Sequence, residues 1–126
     1  FASQGRKVIA QDVGERSADD FAVNLDAFDS VDLYLGKPES ILPAFKENKL
    51  LTVFEAASEG ISVATAQALS KAEVPWILYI SHDSAILVRD SIRLSDSGYK
   101  LNTIIPFDDE PQTAIISAAT IFRKNR

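Results

Sequence analysis

Ser81, His82 and Asp83 stand in a row, three side-chain types used in acid–base and nucleophilic chemistry. Adjacent residues do not make a serine–histidine–carboxylate relay, because such relays assemble from distant segments. His82 has two readings of its own. It follows an apolar run and precedes a carboxylate, so it could handle a proton at a strand's end, or it is a solvated loop histidine. Asp12 ends another apolar run. A carboxylate there can accept hydrogen bonds from both ribose hydroxyls of a nucleoside, or cap the loop that follows. Asp108, Asp109 and Glu110 are consecutive. Hard cations need several converging oxygens, which consecutive loop residues rarely supply, so no metal site is expected there and a solvated acidic turn is. The chain has no cysteine, which excludes a thiol nucleophile, a disulfide and a thiolate metal site within it. It also has no Gly-x-x-x-x-Gly-Lys phosphate loop.

These residues need elements to place them. Lys7–Asp12 is a short apolar strand candidate. Ser17 can cap a helix with Ala18, Phe21, Ala22, Leu25 and Phe28 on one face of a 3.6-residue period. Val31–Leu35 is a second strand. Glu39–Asn48 reads as a short helix, with Pro43 tolerated in or near its first turn. Leu50–Phe54 is a third strand. Ser62 caps a helix that runs to about Ala72, and Pro75 ends the connection. Trp76–Ser81 is nearly all apolar, as suits a parallel strand covered on both faces. A helix follows from about Ser84 to Ser97, with Gly98 at its C-terminal cap. Leu101–Ile105 and Ile115–Phe122 are the last strands. The acidic loop between them, Pro106 to Gln112, has no room for a crossover helix, so the final strand should be antiparallel to its neighbours. Alternating strands and helices predict an α/β domain with a mostly parallel sheet. Ligands bind such sheets at the carboxyl ends of the strands, which directs attention to the loops after Asp12, Leu35, Phe54 and Ser81.

The chain has 126 residues, enough for a single domain spanning 1–126 with one moderate core. It is 46% hydrophobic and 25% charged, the composition of a globular protein. No apolar run approaches the roughly 20 residues that cross a bilayer, and the N-terminus lacks the pattern of a secretory signal. A cytoplasmic location is expected, with an organellar matrix also open. Net charge is −5. Proteins that hold RNA alone usually show a basic face. The basic clusters here are Arg6-Lys7 and Arg123-Lys124 with Arg126, read as solvated ends or as RNA contacts. The chain begins at Phe1 and has no methionine, which reads as a fragment.

Tyr79-Ile80-Ser81-His82-Asp83-Ser84, followed by Ala85-Ile86-Leu87-Val88-Arg89-Asp90, resembles the catalytic signature of the S-adenosylmethionine-dependent RNA uracil-5 methyltransferases. That family carries Tyr-(Val/Ile)-Ser-Cys-Asn-Pro and then Ala-Thr-Leu-Ala-Arg-Asp. Gly98-Tyr99-Lys100-Leu101 resembles its Gly-Gly-Tyr-x-Leu, and Pro106-Phe107-Asp108 with Pro111-Gln112-Thr113 resembles its Pro-Phe-Asp-Met-Phe-Pro-x-Thr. The resemblance implies a class I, Rossmann-like methyltransferase fold, mostly parallel with an antiparallel C-terminal strand. The family's first strand and glycine-rich loop have no counterpart in this chain. Another segment or chain is expected to supply that strand, between the strands at 7–12 and 50–54.

The same resemblance assigns positions. Asp12 stands where a ribose contact to S-adenosylmethionine is implied. Lys37 stands where the family usually has an acid near the adenine, and an ammonium cannot accept the adenine amino proton. A solvated loop lysine is the other reading. Glu55-Ala56-Ala57-Ser58-Glu59-Gly60 corresponds to Asp-Pro-Pro-Arg-x-Gly. Glu55 keeps the carboxylate and Gly60 the turn, while the stiff prolines and the arginine are replaced. His82 takes the place of the cysteine that adds to uracil carbon 6. Ser117 takes the place of the glutamate that removes the carbon 5 proton.

Nucleophile, base and platform all differ. The expectation is a degenerate RNA methyltransferase-like domain, without uracil-5 methylation, acting as a binding or structural subunit. RNA would be met through a larger protein or complex, and cofactor binding is weakened or lost. The alternative is an active S-adenosylmethionine-dependent RNA methyltransferase whose N-terminal part lies outside this chain.

Overall fold

The computed structural model describes residues 8–12, 19–20, 31–45, 51–55, 59–108, 111–113 and 115–125. The chain divides into two units, Phe1–Ile41 and Leu42–Arg126, each with its own sheet.

In the first unit β1 (Val8–Asp12) pairs parallel with β2 (Val31–Leu35), in register from Val8 opposite Val31 to Asp12 opposite Leu35. Of the helix expected from Ser17, only Asp19 and Asp20 lie within the described residues; both are helical and exposed. After β2, Gly36 takes a φ of +141°, and its carbonyl accepts the Gln11 side-chain amide. Helix α1 (Pro38–Ile41) is far shorter than the expected Glu39–Asn48, and a 3-10 turn, Leu42–Phe45, replaces its continuation. Pro38 suits a helix start. Pro43 has no N–H to donate and its ring crowds the carbonyl four residues back, so α-type bonding cannot run through it.

The second unit holds a four-stranded sheet in the order β3-β4-β6-β5. β3 (Leu51–Glu55) and β4 (Trp76–Ser81) are parallel. β6 (Ser117–Lys124) lies antiparallel between β4 and β5 (Tyr99–Phe107), as the loop chemistry predicts. β5 starts two residues before its expected bound and β6 is displaced two residues C-terminally. A shift of two keeps the same side chains on each face, so local patterning barely resists it. The strands at 7–12 and 50–54 do not pair, as expected. β1 and β3 belong to different sheets, and no described strand bridges them.

Helix α2 (Val63–Lys71) is capped by Ser62, whose hydroxyl accepts the Thr65 N–H at 3.0 Å. Such a cap contributes about 1 kcal/mol. Helix α3 (Ser84–Asp96) starts at the Asp83 cap, and Gly98 just beyond it takes a φ of +92°. Ala66 and Leu69 of α2 and Leu94 of α3 join Ile77, Tyr79, Tyr99 and Phe122 in the core. β4 is less enclosed than its apolar sequence predicts. Ile77, Tyr79 and Ser81 are buried, whereas Leu78 and Ile80 are half-buried and Trp76 is exposed. No helix among the described residues is long and apolar enough to cross a membrane.

Candidate active site

Strand directions decide what meets at the carboxyl edge of the four-stranded sheet. β3 and β4 run parallel and end there with Glu55 and Ser81, so His82 is the first residue past that edge. β6 runs the other way and therefore begins there, with Ser117. The result joins residues far apart in sequence. His82 Nδ1 lies 2.6 Å from Ser117 Oγ. His82 Nε2 lies 3.6 Å from Glu55 Oε1. Ser117 is wholly buried, while the Glu55 side chain is 77% exposed and that of His82 42%. All three positions that the resemblance assigned to chemistry thus converge on one imidazole.

The neighbours of His82 have structural work. Ser81 Oγ donates to the Asp83 carbonyl at 2.8 Å and accepts the Asp83 N–H at 3.2 Å, closing the turn. The Asp83 carboxylate accepts the N–H groups of Ala85 and Ile86 at 2.8 and 3.1 Å, which caps α3. The adjacent Ser-His-Asp is therefore a turn and a cap around a presented histidine. The distant Glu55, His82 and Ser117, which the resemblance assigns to one reaction centre, meet here. The signal that reveals them is the antiparallel sense of β6, which returns its first residue to the carboxyl edge.

A second constellation was missed altogether. Asp90 is wholly buried in α3. It accepts the Tyr79 hydroxyl at 2.5 Å and the Ile61 N–H at 2.7 Å, and Arg89 and Arg93 contact it at 3.0 and 3.4 Å. Arg89 also donates to the Glu59 carbonyl at 2.5 Å, and Arg93 to the Ile61 carbonyl at 2.6 Å. The segment leaving β3 is thereby tied to α3. Gly60 sits within it at φ +67°, where a Cβ would collide with the Asp90 carboxylate and Ile86. An aspartate spaced with Leu87 and Leu94 on one helix face was the available sequence signal. Burial, then the hydrogen bond to Asp90, pushes the Tyr79 phenol well above its ordinary value.

The other predicted positions fall as follows. Asp12 closes β1 opposite Leu35, and Lys37 lies exposed just past β2. Both stand at carboxyl ends of parallel strands in the first unit. The donor set fits an adenosyl cofactor in part. The carboxylate at Asp12 suits ribose hydroxyls, and the ammonium at Lys37 does not suit an adenine amine. Asp108 is exposed just past β5, and Asp109 and Glu110 lie outside the described residues. Of the basic residues, Arg123 stacks over the Trp76 ring at 5.4 Å and the Lys124 ammonium donates to the Ser70 carbonyl. Trp76 begins the strand that ends beside His82, so at about 3.3 Å per residue these cations lie at the far edge of the sheet from the imidazole.

No family model matches the chain. Over 115 residues it is 35% identical to an uncharacterized RNA methyltransferase of Streptomyces coelicolor, which covers 90% of this chain and 25% of that protein. An uncharacterized RNA methyltransferase of Enterococcus faecalis is 28% identical over 98% of the chain and 28% of its own length. The chain thus spans about a quarter of the length of these curated relatives. Among solved structures, the Pyrococcus abyssi tRNA (uracil-54, C5)-methyltransferase in complex with S-adenosyl-L-homocysteine superposes with a TM-score of 0.82 at 16% identity, over 96% of this chain and 29% of that one. Precorrin-6y C5,15-methyltransferase from Geobacter metallireducens gives 0.72 at 13% identity, over 94% and 67%. At these identities the structural likeness shows the fold, a class I methyltransferase fold, mixed α/β and Rossmann-like.

Proposed function

We propose that this RNA methyltransferase-like domain does not perform uracil carbon-5 methylation and serves as a binding or structural part of a larger RNA-modifying protein or complex. One observation carries the reading. The imidazole of His82 stands where the resemblance places the thiolate, tied at Nδ1 to a buried Ser117 that stands where it places the base. Carbon 5 of uracil becomes nucleophilic only after something adds to carbon 6, and a base must then remove its proton. An imidazole adduct is bulkier and cationic, and Ser117 offers no carboxylate to take the carbon-5 proton. A cytoplasmic setting and a strand contributed by another segment or chain belong to the same reading.

S-adenosylmethionine, when bound, supplies an electrophilic methyl group. Asp12 is the residue of this chain that would hold its ribose. Lys37 contributes nothing to the adenine, so this chain alone is expected to bind the cofactor weakly or not at all. Calorimetry checks this, and micromolar affinity that drops in Asp12→Ala would refute it. The activity test gives the full-length protein labelled S-adenosylmethionine and total RNA, with His82→Ala as control. No label at uracil carbon 5 is expected. Label there that vanishes in His82→Ala would establish His82 as a replacement nucleophile and overturn the reading.

A second reading is an active methyltransferase completed by residues outside this chain. The two-sided hold on His82 favours it, since a histidine left over from lost chemistry has no need of partners on β3 and β6.

A further inference from the structure

We propose that His82 is the proton acceptor for methyl transfer to an oxygen or nitrogen of an RNA nucleotide, with Glu55 stabilising its cation and Ser117 fixing its ring. The proposal rests on the second reading above and names the chemistry that its site performs.

The argument begins with burial. Ser117 is wholly buried, so its hydroxyl cannot reach a substrate as a nucleophile. It can hold the ring. In the tautomer that donates Nδ1–H to Ser117 Oγ, 2.6 Å away, Nε2 carries the lone pair. Glu55 comes from β3, the neighbour on the other side of β4. At 3.6 Å from Nε2, its carboxylate is too far for a hydrogen bond and places a negative charge beside that nitrogen. The ring is partly exposed, so a nucleotide can approach it. The carboxylate of Asp83, next in the chain, is engaged in capping α3. The three residues therefore supply a lone pair, a fixed ring and a countercharge.

That set suits a heteroatom and not a carbon. A hydroxyl or ring N–H already carries the electrons that attack, and it needs only to lose its proton. Carbon 5 of uracil needs a prior covalent adduct. In the step, the nucleotide oxygen or nitrogen forms a bond to the methyl carbon of a sulfonium donor. The carbon–sulfur pair leaves with sulfur as a neutral thioether. The proton of the attacking O–H or N–H passes to His82 Nε2.

The sole histidine of the chain makes the spectroscopic test unambiguous. Nitrogen-15 spectra of this chain are expected to show the Nδ1–H tautomer in the wild type and a mixture in Ser117→Ala. An unchanged spectrum in Ser117→Ala overturns the positioning role. The activity arm uses the full-length protein, labelled S-adenosylmethionine and total RNA, with methylated nucleosides separated by chromatography. Label on an oxygen or ring nitrogen is expected. It should fall about a hundredfold or more in His82→Ala, the usual worth of a positioned base, and by a smaller factor in Glu55→Gln. Ser117→Ala should lower kcat with KM unchanged. Heteroatom label that survives His82→Ala overturns the proposal and leaves the active reading standing. No methylated nucleoside at all overturns both. Label at uracil carbon 5 overturns the proposal in favour of a nucleophilic His82.

Discussion

The Tyr79 hydroxyl donates to the carboxylate of Asp90 at 2.5 Å, across a fully buried contact between β4 and α3. The same carboxylate oxygen takes the Ile61 N–H. Removing the carboxylate leaves a buried phenol and a backbone N–H without their acceptor and two guanidinium groups without their countercharge. Asp90→Ala is therefore expected to lower stability by about 3 kcal/mol. Denaturant midpoints check this, and a loss under about 1 kcal/mol would show that the cluster is not cooperative.

Gly60→Ala adds a methyl to a residue at positive φ and drives it into Asp90 and Ile86. Backbone strain and overpacking add, for an expected cost of about 2 kcal/mol or more. The double variant with Asp90→Ala should cost less than the sum of the singles, since one steric partner is gone. A double-mutant cycle by chemical denaturation measures the difference.

The alkaline limb of stability should be unusual. Burial, and for Tyr79 the bond to Asp90, raises both Tyr79 and Tyr99 well above an ordinary phenol. The folded state then holds these protons more tightly than the unfolded state. Their contribution is complete below about pH 10, the unfolded phenol value, and is lost as pH rises above it. Tyr79→Phe should flatten that loss. Thermal melts between neutral pH and pH 11 test the slope, and an identical slope in the variant would contradict the assignment.

Thr120 is wholly buried on β6 and its hydroxyl has no partner among the described residues. Replacing it with valine keeps the shape and removes a desolvated polar group. Thr120→Val should be neutral or stabilising by about 1 kcal/mol. A midpoint lowered by the change would mean that the hydroxyl is bonded in solution.

What could be read from the sequence follows how local each signal is. Ser62 announces its helix because a cap is decided within three residues, whereas the Asp83 cap emerges only from the structure. Trp76–Ser81 stands out as a strand because its apolar run is bounded by Pro75 and a turn. The short α1 escaped because Pro43 was placed in a helix's first turn, although it falls five residues past Pro38. At the candidate site, the resemblance assigns Glu55, His82 and Ser117 to one reaction centre, and their direct contacts come only from the fold. Their contact depends on the lateral order β3-β4-β6, a long-range property that no window of sequence contains. Asp90 was quoted within a motif without a role, because the burial that makes it important comes from packing against Tyr79.

The insertion of β6 between β4 and β5 has a consequence for assembly. The inner strand of that sheet follows both of its neighbours in the order of synthesis. Until residues 117–124 arrive, β4 and β5 expose a pair of unsatisfied edges, the kind of transient surface that chaperones recognise and that favours misassociation. The same insertion delivers Ser117 to His82. Closure of the sheet and completion of the imidazole's surroundings are then a single event, so a folding intermediate lacking β6 would leave His82 without Ser117 as well as being adhesive.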